Sequence, residues 1–149
     1  MESRMDQRER TEILEAAGFT VLGEAADVHG TTPEAATRSV ANLAVRPQIR
    51  VDAEADDSVG RTEQAWRDNA EAVGLLAEDG SCYVCITGPG AFELPWALVR
   101  PPSRPGFLSG LLERAGSIDV VSIAASGSPV VGLFEEEDEN WIINVELPR

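Results

Sequence analysis

The residues most capable of chemistry lie in or just after an almost uncharged stretch, Ser81 to Arg100, in which Glu93 is the only interior charge. Trp96, Arg100 and Arg104 follow Glu93 closely. Arginine forms paired hydrogen bonds with carboxylates and phosphates, so these residues suggest an anion-binding site. A buried Glu93 would need one of the arginines as a partner, or a raised pKa. The alternative is that both arginines pair locally with acidic neighbours. We take Glu93, Trp96, Arg100 and Arg104 as candidate binding residues.

Few other residues can support catalysis or metal binding. His29 is the only histidine, and Cys82 and Cys85 are the only cysteines. Residues three apart in a regular strand point to opposite faces, so we expect this cysteine pair to diverge into the core rather than act in redox chemistry or bind zinc. No phosphate-binding loop, nucleophile elbow or zinc-protease motif is present. We therefore predict no catalytic residues, no metal and no cofactor, and the sequence favours a protein that is not an enzyme.

The segment Pro89 to Pro95, PGAFELP, is similar to a substrate-loop motif of lumazine synthases. The resemblance covers these seven residues. The other motifs of that family, including its Arg- and His-containing catalytic segments, have no counterpart in this chain. No site residue is therefore inferred from it.

Charge is the strongest compositional feature. The 149-residue chain has 26 acidic and 12 basic residues, a formal net charge of −14, and every basic residue is an arginine. This composition is typical of a high-GC genome and of proteins adapted to a salt-rich cytosol, where surface charge maintains solubility. It argues against direct binding to nucleic acids or anionic membranes. A charged N-terminus and the lack of a long apolar run favour a cytoplasmic protein.

Capping signals and periodic apolar residues predict the helices. Asp6 to Glu9 resembles a capping box, and Thr32 followed by Pro33 is a typical helix start. Apolar residues at helical spacing around Trp66 predict a buried face, and Leu43 and Ala44 extend the buried face of the second helix. Residues 56–60 are expected to form a polar loop. The predicted helices cover 7–17, 32–46, 62–78 and 107–115.

Alternating and continuous apolar runs predict the strands. After Gly88-Pro89-Gly90, the residues Phe92, Leu94, Trp96 and Leu98 alternate on one face, which favours a hairpin with 81–87 over a short helix from Pro95. In the last strand Trp141, Ile143, Val145 and Leu147 share one face. Besides this strand after Gly90, the predicted strands cover 19–22 with a possible extension to 26, 48–54, 81–87, 118–125, 130–134 and 141–147.

These elements predict one α+β domain over 1–149, with about four helices on a mixed or mostly antiparallel sheet and a C-terminal hairpin. We expect residues 1–6 to be frayed and 135–140 to form an acidic hairpin tip. Helix, glycine and strand recur three times, which places three helices on one sheet with 81–87 and 118–125 at its centre.

The favoured function is a non-enzymatic binding or regulatory protein of the chaperone, antitoxin or inhibitor-like class, acting through a protein partner or as a homo-oligomer. One alternative is a small-molecule binder or enzyme with an anion site near Trp96, Arg100 and Arg104. Another is an acidic mimic of nucleic acid, which would bind a basic nucleic-acid-handling protein.

Overall fold

A computed structural model describes residues 5–42 and 44–148, and in these ranges the chain forms four α-helices and seven β-strands. The predicted α+β class is confirmed. The helices are α1 (Gln7–Ala16), α2 (Pro33–Val40), α3 (Ser58–Val73) and α4 (Phe107–Ala115). The strands are β1 (Thr20–Ala25), β2 (Ile49–Asp52), β3 (Cys82–Ile86), β4 (Trp96–Arg100), β5 (Val120–Ile123), β6 (Val130–Glu135) and β7 (Glu139–Val145).

Two predicted helix starts carry the expected caps. The Asp6 carboxylate accepts a hydrogen bond from the Glu9 backbone N–H at 2.8 Å. The Thr32 hydroxyl accepts one from the Ala35 N–H at 3.2 Å, and Pro33 follows it. Each cap satisfies a backbone donor that has no partner within its helix. Residues 1–4, which were expected to be frayed, lie outside the described residues, whereas the Met5 N–H donates to the Pro89 carbonyl oxygen at 2.9 Å.

The boundaries of α2 and α3 differ from the prediction. α2 ends at Val40 rather than at 46, and the Asn42 side chain accepts the Ala44 N–H, which competes with continued helix. Ala44 is exposed rather than buried, and the predicted burial of Leu43 lies outside the described residues. α3 spans 58–73 rather than 62–78, because Asp57 turns the chain at φ 54° and Gly74 ends the helix at φ 72°.

The strands form a single sheet in the described residues, in the order β1-β4-β3-β5-β6-β7-β2, and each neighbouring pair is antiparallel. The predicted central strands are confirmed, since β3 and β5 are neighbours in the middle of the sheet. The hairpin of β3 with β4 is also confirmed, but β4 begins only at Trp96. Residues Ala91–Glu93 form a short 3-10 helix instead, and Phe92 is 48% exposed. The acidic tip is shorter than predicted, because Glu135 and Asn140 pair across the hairpin.

Helices cover the two faces of the sheet unequally. Leu14 of α1, Trp66 of α3 and Leu111 of α4 belong to one core cluster, which contains the face of β3 that carries Cys82 and Val84. Val40 of α2 lies in a second cluster on the opposite face, with Cys85 and Ile143. The predicted arrangement of three helices on one sheet is therefore found, and α2 lies alone among the described helices on the other face.

Glycines allow close approach at two helix contacts. A Cβ on Gly110 of α4 would lie 2.8 Å from the Ala17 Cα beside α1. A Cβ on Gly132 of β6 would lie 2.8 Å from Val40 Cγ2 of α2 and 2.7 Å from Phe134 Cε2. Real Cβ atoms do not approach other heavy atoms this closely. Gly132 thus sets how deeply α2 packs on the second face.

None of the helices in the described ranges combines the length and the apolar character that crossing a bilayer requires.

Candidate functional site

The four residues predicted to bind an anion lie in different settings. Glu93 is exposed at the end of the 3-10 helix, and Trp96 begins β4. Arg100 is the last residue of β4. At a rise of roughly 3.3 Å per residue, its Cα lies about 13 Å from the Cα of Trp96. Arg104 lies in the loop that follows, and both arginines line one open groove beside Ala17 and Phe107. The structure therefore brings Arg100 and Arg104 together but separates them from Glu93 and Trp96; a ligand at any of the four stays a prediction.

Trp96 is a buried anchor. Its side chain is 0% exposed in the second core cluster, and its indole Nε1 donates to the Thr31 carbonyl oxygen at 2.9 Å. This bond joins β4 to the residues just before α2. Because its side chain has no exposed surface and its N–H has a hydrogen-bond partner, Trp96 stabilises the packing of β4 against the segment before α2.

Arg100 pairs locally, which is the alternative left open by the sequence. Its Nε donates to the Asp79 carbonyl oxygen at 2.8 Å, and its Nη2 lies 3.6 Å from Asp79 Oδ2. Hydrogen bonds from the Ser81 hydroxyl and backbone N–H, with a smaller contribution from Arg100, lower the pKa of the exposed Asp79 carboxyl. The arginine thus fixes the turn between α3 and β3.

One anion position in the segment after Arg104 is filled by the chain itself. Glu63 of α3 is 3% exposed, and its carboxylate accepts the N–H groups of Gly106, at 2.8 and 3.0 Å, and of Leu108, at 3.0 Å. These donors are the open N-terminus of α4, which attracts negative charge. The Arg67 Nη2 lies 3.2 Å from Oε2 of the same carboxylate, and the Arg67 Cζ lies 5.1 Å from the centre of the Phe107 ring. Glu63 therefore acts as an internal cap.

Sequence reasoning missed Glu63 and Arg10. Glu63 precedes Trp66 by three positions, so it stands on the buried stripe of α3, and this spacing was the available signal. Arg10 is 2% exposed, and its guanidinium donates to Glu24 at 2.7 Å and to the Pro95 carbonyl oxygen at 2.6 Å. Its partners are remote in sequence, so no local pattern indicated its burial.

The cysteines lie on opposite faces of the sheet, as predicted, since Cys82 belongs to the first core cluster and Cys85 to the second. Burial raises the pKa of the Cys82 thiol to about 12 and that of Cys85 to about 11. Both thiols are therefore protonated and weakly nucleophilic at neutral pH. Within 5–42 and 44–148, no group of three or more His, Cys, Asp and Glu side chains could hold a metal ion.

Another concave surface lies beyond the C-terminal end of α2. It is a groove of about 410 Å³, here called the α2 groove, that continues past the end of α2 over β6, β7 and β2. Val40 and Ile143 form its buried floor, at 0% and 3% exposure. Val45 lines the side formed by the loop after α2 and is half-buried. Pockets of this size with an apolar lining are common binding sites.

A row of side chains across three strands forms the other wall of the α2 groove. Phe134 of β6 is the direct partner of Trp141 in β7, and Trp141 is the direct partner of Arg50 in β2. Directly opposed residues of antiparallel strands share a face, so these three side chains stand side by side. Phe134 and Trp141 are only half-buried, and the Arg50 guanidinium carbon lies 5.6 Å from the centre of the Trp141 ring. The row presents aromatic surface to solvent.

An acidic cleft adjoins the α2 groove at the tip of the β6–β7 hairpin. Trp141 and Glu136 line both concavities, which therefore adjoin at these two side chains. Glu139 accepts a hydrogen bond from the Trp141 indole N–H at 3.1 Å and lies 3.8 Å from the Arg50 Nη1. The acidic side chains of the cleft are Asp52, Glu136, Glu137, Asp138 and Glu139.

Comparisons with known proteins gave no matching family model, no similar curated protein and no similar solved structure. The similarity of PGAFELP to lumazine synthases therefore finds no support beyond its seven residues.

Proposed function

We propose that this chain is a non-enzymatic binding protein that acts through contact with a partner protein. The observation that carries the proposal is the α2 groove, where the half-buried apolar side chains of Val45, Phe134 and Trp141 line one concave surface. Aromatic residues at the rim of an apolar groove are typical of the energetic centres of protein interfaces.

The alternative of an enzyme or an anion binder near Arg100 and Arg104 has less support. The N-terminus of α4, which borders that groove, already binds the Glu63 carboxylate. Arg100 is engaged with Asp79. A ligand at Arg100 or at the N-terminus of α4 would have to displace these contacts of the fold.

The proposal includes a regulatory role in a salt-rich cytoplasm, with a dedicated partner or with self-association. The support is compositional: a net charge of −14 maintains solubility at high salt and favours association with basic rather than acidic surfaces.

Purification of the tagged protein from its native host, at the salt concentration of that host, tests the proposal. Native mass spectrometry should show a protein partner or a homo-oligomer at fixed stoichiometry. A monomer that carries a small-molecule mass, with no protein attached, would overturn the proposal and favour the ligand-binding alternative.

A further inference from the structure

The α2 groove and the acidic cleft form one amphipathic surface. The groove supplies the partly exposed apolar side chains of Val45 and Phe134, the cleft supplies carboxylates, and Trp141 stands at the boundary between them. A partner that fills both must therefore present apolar and charged side chains next to each other. An amphipathic segment that lies in a groove has this arrangement.

The charge of this surface determines which charge a partner segment must carry. Arg46 and Arg50 line the groove, and their positive charges partly cancel the negative charge of the acidic cleft. Arg50 is offset by Glu139, which lies 3.8 Å away and also holds the Trp141 indole. The remaining charges are the positive charge of Arg46 and four negative charges, so the surface is negative. The four acidic side chains are Asp52, Glu136, Glu137 and Asp138.

The exposed hairpin acids are available to a partner. Among the described residues, the side chains of Glu136, Glu137 and Asp138 have no hydrogen bond or ion pair, and all three are exposed. An anionic ligand that approached the groove would meet these carboxylates and a molecule of net charge −14. A second copy of the chain that docked face to face at this surface would meet the same repulsion, because it would bring two acidic clefts together.

We propose that the α2 groove and the acidic cleft together bind a basic amphipathic segment of the partner protein. Its apolar side chains enter the groove between Val45 and Trp141, and its Lys or Arg side chains lie over the cleft. This inference rests on the proposed function and adds the chemistry of the partner to it.

A binding selection tests this assignment. Peptides of random sequence and about 16 residues, long enough for about four helical turns, are selected for binding to the full chain. Binders are then measured on Val45→Asp, which introduces a charge into the groove wall. The matched control is Leu112→Asp, which changes an apolar side chain of α4 that is 39% exposed, on the helix that packs against the other face. The expected binders are basic and amphipathic, and their affinity falls about tenfold or more on Val45→Asp but is unchanged on Leu112→Asp.

Charge variants separate specific docking from general attraction. Glu136→Gln, Glu137→Gln and Asp138→Asn are combined in one variant, and Glu15→Gln, Glu71→Gln and Glu113→Gln on exposed helix positions form a control with the same net charge. Only the first variant should weaken binding by about tenfold. Equal weakening by both would show attraction to the whole molecule and would overturn the assignment.

Tryptophan fluorescence gives an independent readout. Trp66 and Trp96 are 2% and 0% exposed, so quenching by acrylamide reports mainly on the half-buried Trp141. A bound peptide should protect Trp141 from the quencher. Binders that are acidic or uncharged, binders that Val45→Asp retains, or the recovery of no binder would each overturn the inference. A partner isolated from the native host that still binds Val45→Asp would overturn it too, and would leave the proposed function intact.

Discussion

At the scale of single residues, Glu63 is a buried charged side chain on which the start of α4 depends. Its carboxylate is the acceptor for the Gly106 and Leu108 N–H groups and lies against Arg67. Glu63→Ala leaves two backbone donors and a guanidinium without this acceptor. Because such groups keep their desolvation cost, we expect the free energy of unfolding to fall by about 2–4 kcal/mol.

Urea denaturation measures this change. The control is Glu71→Ala, an exposed position of the same helix, for which we expect a change within about 0.5 kcal/mol. Equal effects of the two substitutions would show that Glu63 is not an essential cap of α4.

Asp119 predicts a pH dependence of stability. Desolvation raises the pKa of its carboxyl, and Glu135 and Glu136 add to the increase, while hydrogen bonds from the Glu135 N–H and from Ser117 oppose it. The folded state therefore favours the protonated form, and this contribution is full below the unfolded pKa of about 3.8–3.9 and is lost as the pH rises through the higher folded value. Asp119→Asn keeps an oxygen acceptor and removes the charge.

We expect Asp119→Asn to be more stable than the wild type at pH 7, with a difference that disappears near pH 3. Melting temperatures across this range measure the effect. Glu137→Gln controls for the loss of one negative charge at an exposed site. An unchanged or larger advantage at pH 3 would contradict the assignment to Asp119 ionisation.

The residue scale also shows where sequence reasoning was limited. The opposite orientation of Cys82 and Cys85 followed from strand periodicity alone, as did the shared face of Trp141 and Ile143. The role of Glu63 could not be predicted, because its acceptor geometry depends on donors 43 and 45 positions away. The same holds for the openness of the α2 groove: periodicity assigned Trp141 to a face but could not show that α2 ends before covering it.

At the scale of elements, the contact of α1 with α4 depends on the lack of a side chain at Gly110. Gly110→Ala would gain about 1 kcal/mol of helix propensity. The added Cβ would lie 2.8 Å from the Ala17 Cα, and a backbone atom cannot move aside without shifting the helix. Because overpacking costs about 1–3 kcal/mol, we expect a net loss of stability.

Gly23→Ala is the matched control for Gly110→Ala, since a Cβ at Gly23 meets no atom within 4 Å. We expect thermal unfolding to show a lower melting temperature for Gly110→Ala and an equal or higher one for Gly23→Ala. A higher melting temperature for Gly110→Ala would mean that α1 and α4 separate at little cost.

Element boundaries were predictable where a local signal decided them. Asp6 and Thr32 mark helix starts through bonds to their own first turns, so the sequence was sufficient there. The end of α2 depends on the side chain of Asn42, and the start of α3 on the positive φ of Asp57. Both residues also occur within helices and regular loops, so their types alone did not indicate these turns.

At the scale of the whole molecule, salt should raise stability. The chain has 26 acidic and 12 basic residues, and compaction brings the excess negative charges together. The screening length falls from about 10 Å at 0.1 M to about 3 Å at 1 M. We expect the melting temperature to rise by roughly 5 °C, or about 2 kcal/mol, between about 0.1 M and about 1 M KCl.

The shape of the salt titration identifies the cause. Screening should be almost complete near 1 M, so the melting temperature should reach a plateau. A flat titration would show that the acidic residues are spaced too widely to repel one another. A melting temperature that continues to rise beyond 1 M would indicate binding of specific ions.

The strand order has a consequence for how the molecule is assembled during translation. The strands that are made first, β1 and β2, lie at the two edges of the sheet and pair with β4 and β7. The five strands between them all come from residues 82–145. A nascent chain that has left the ribosome only as far as α3 therefore contains strands without their neighbours. Long-range pairing of this kind delays folding. The first third of the chain therefore stays without its sheet partners, with its apolar side chains accessible to chaperones, until β4 and β7 have been synthesised.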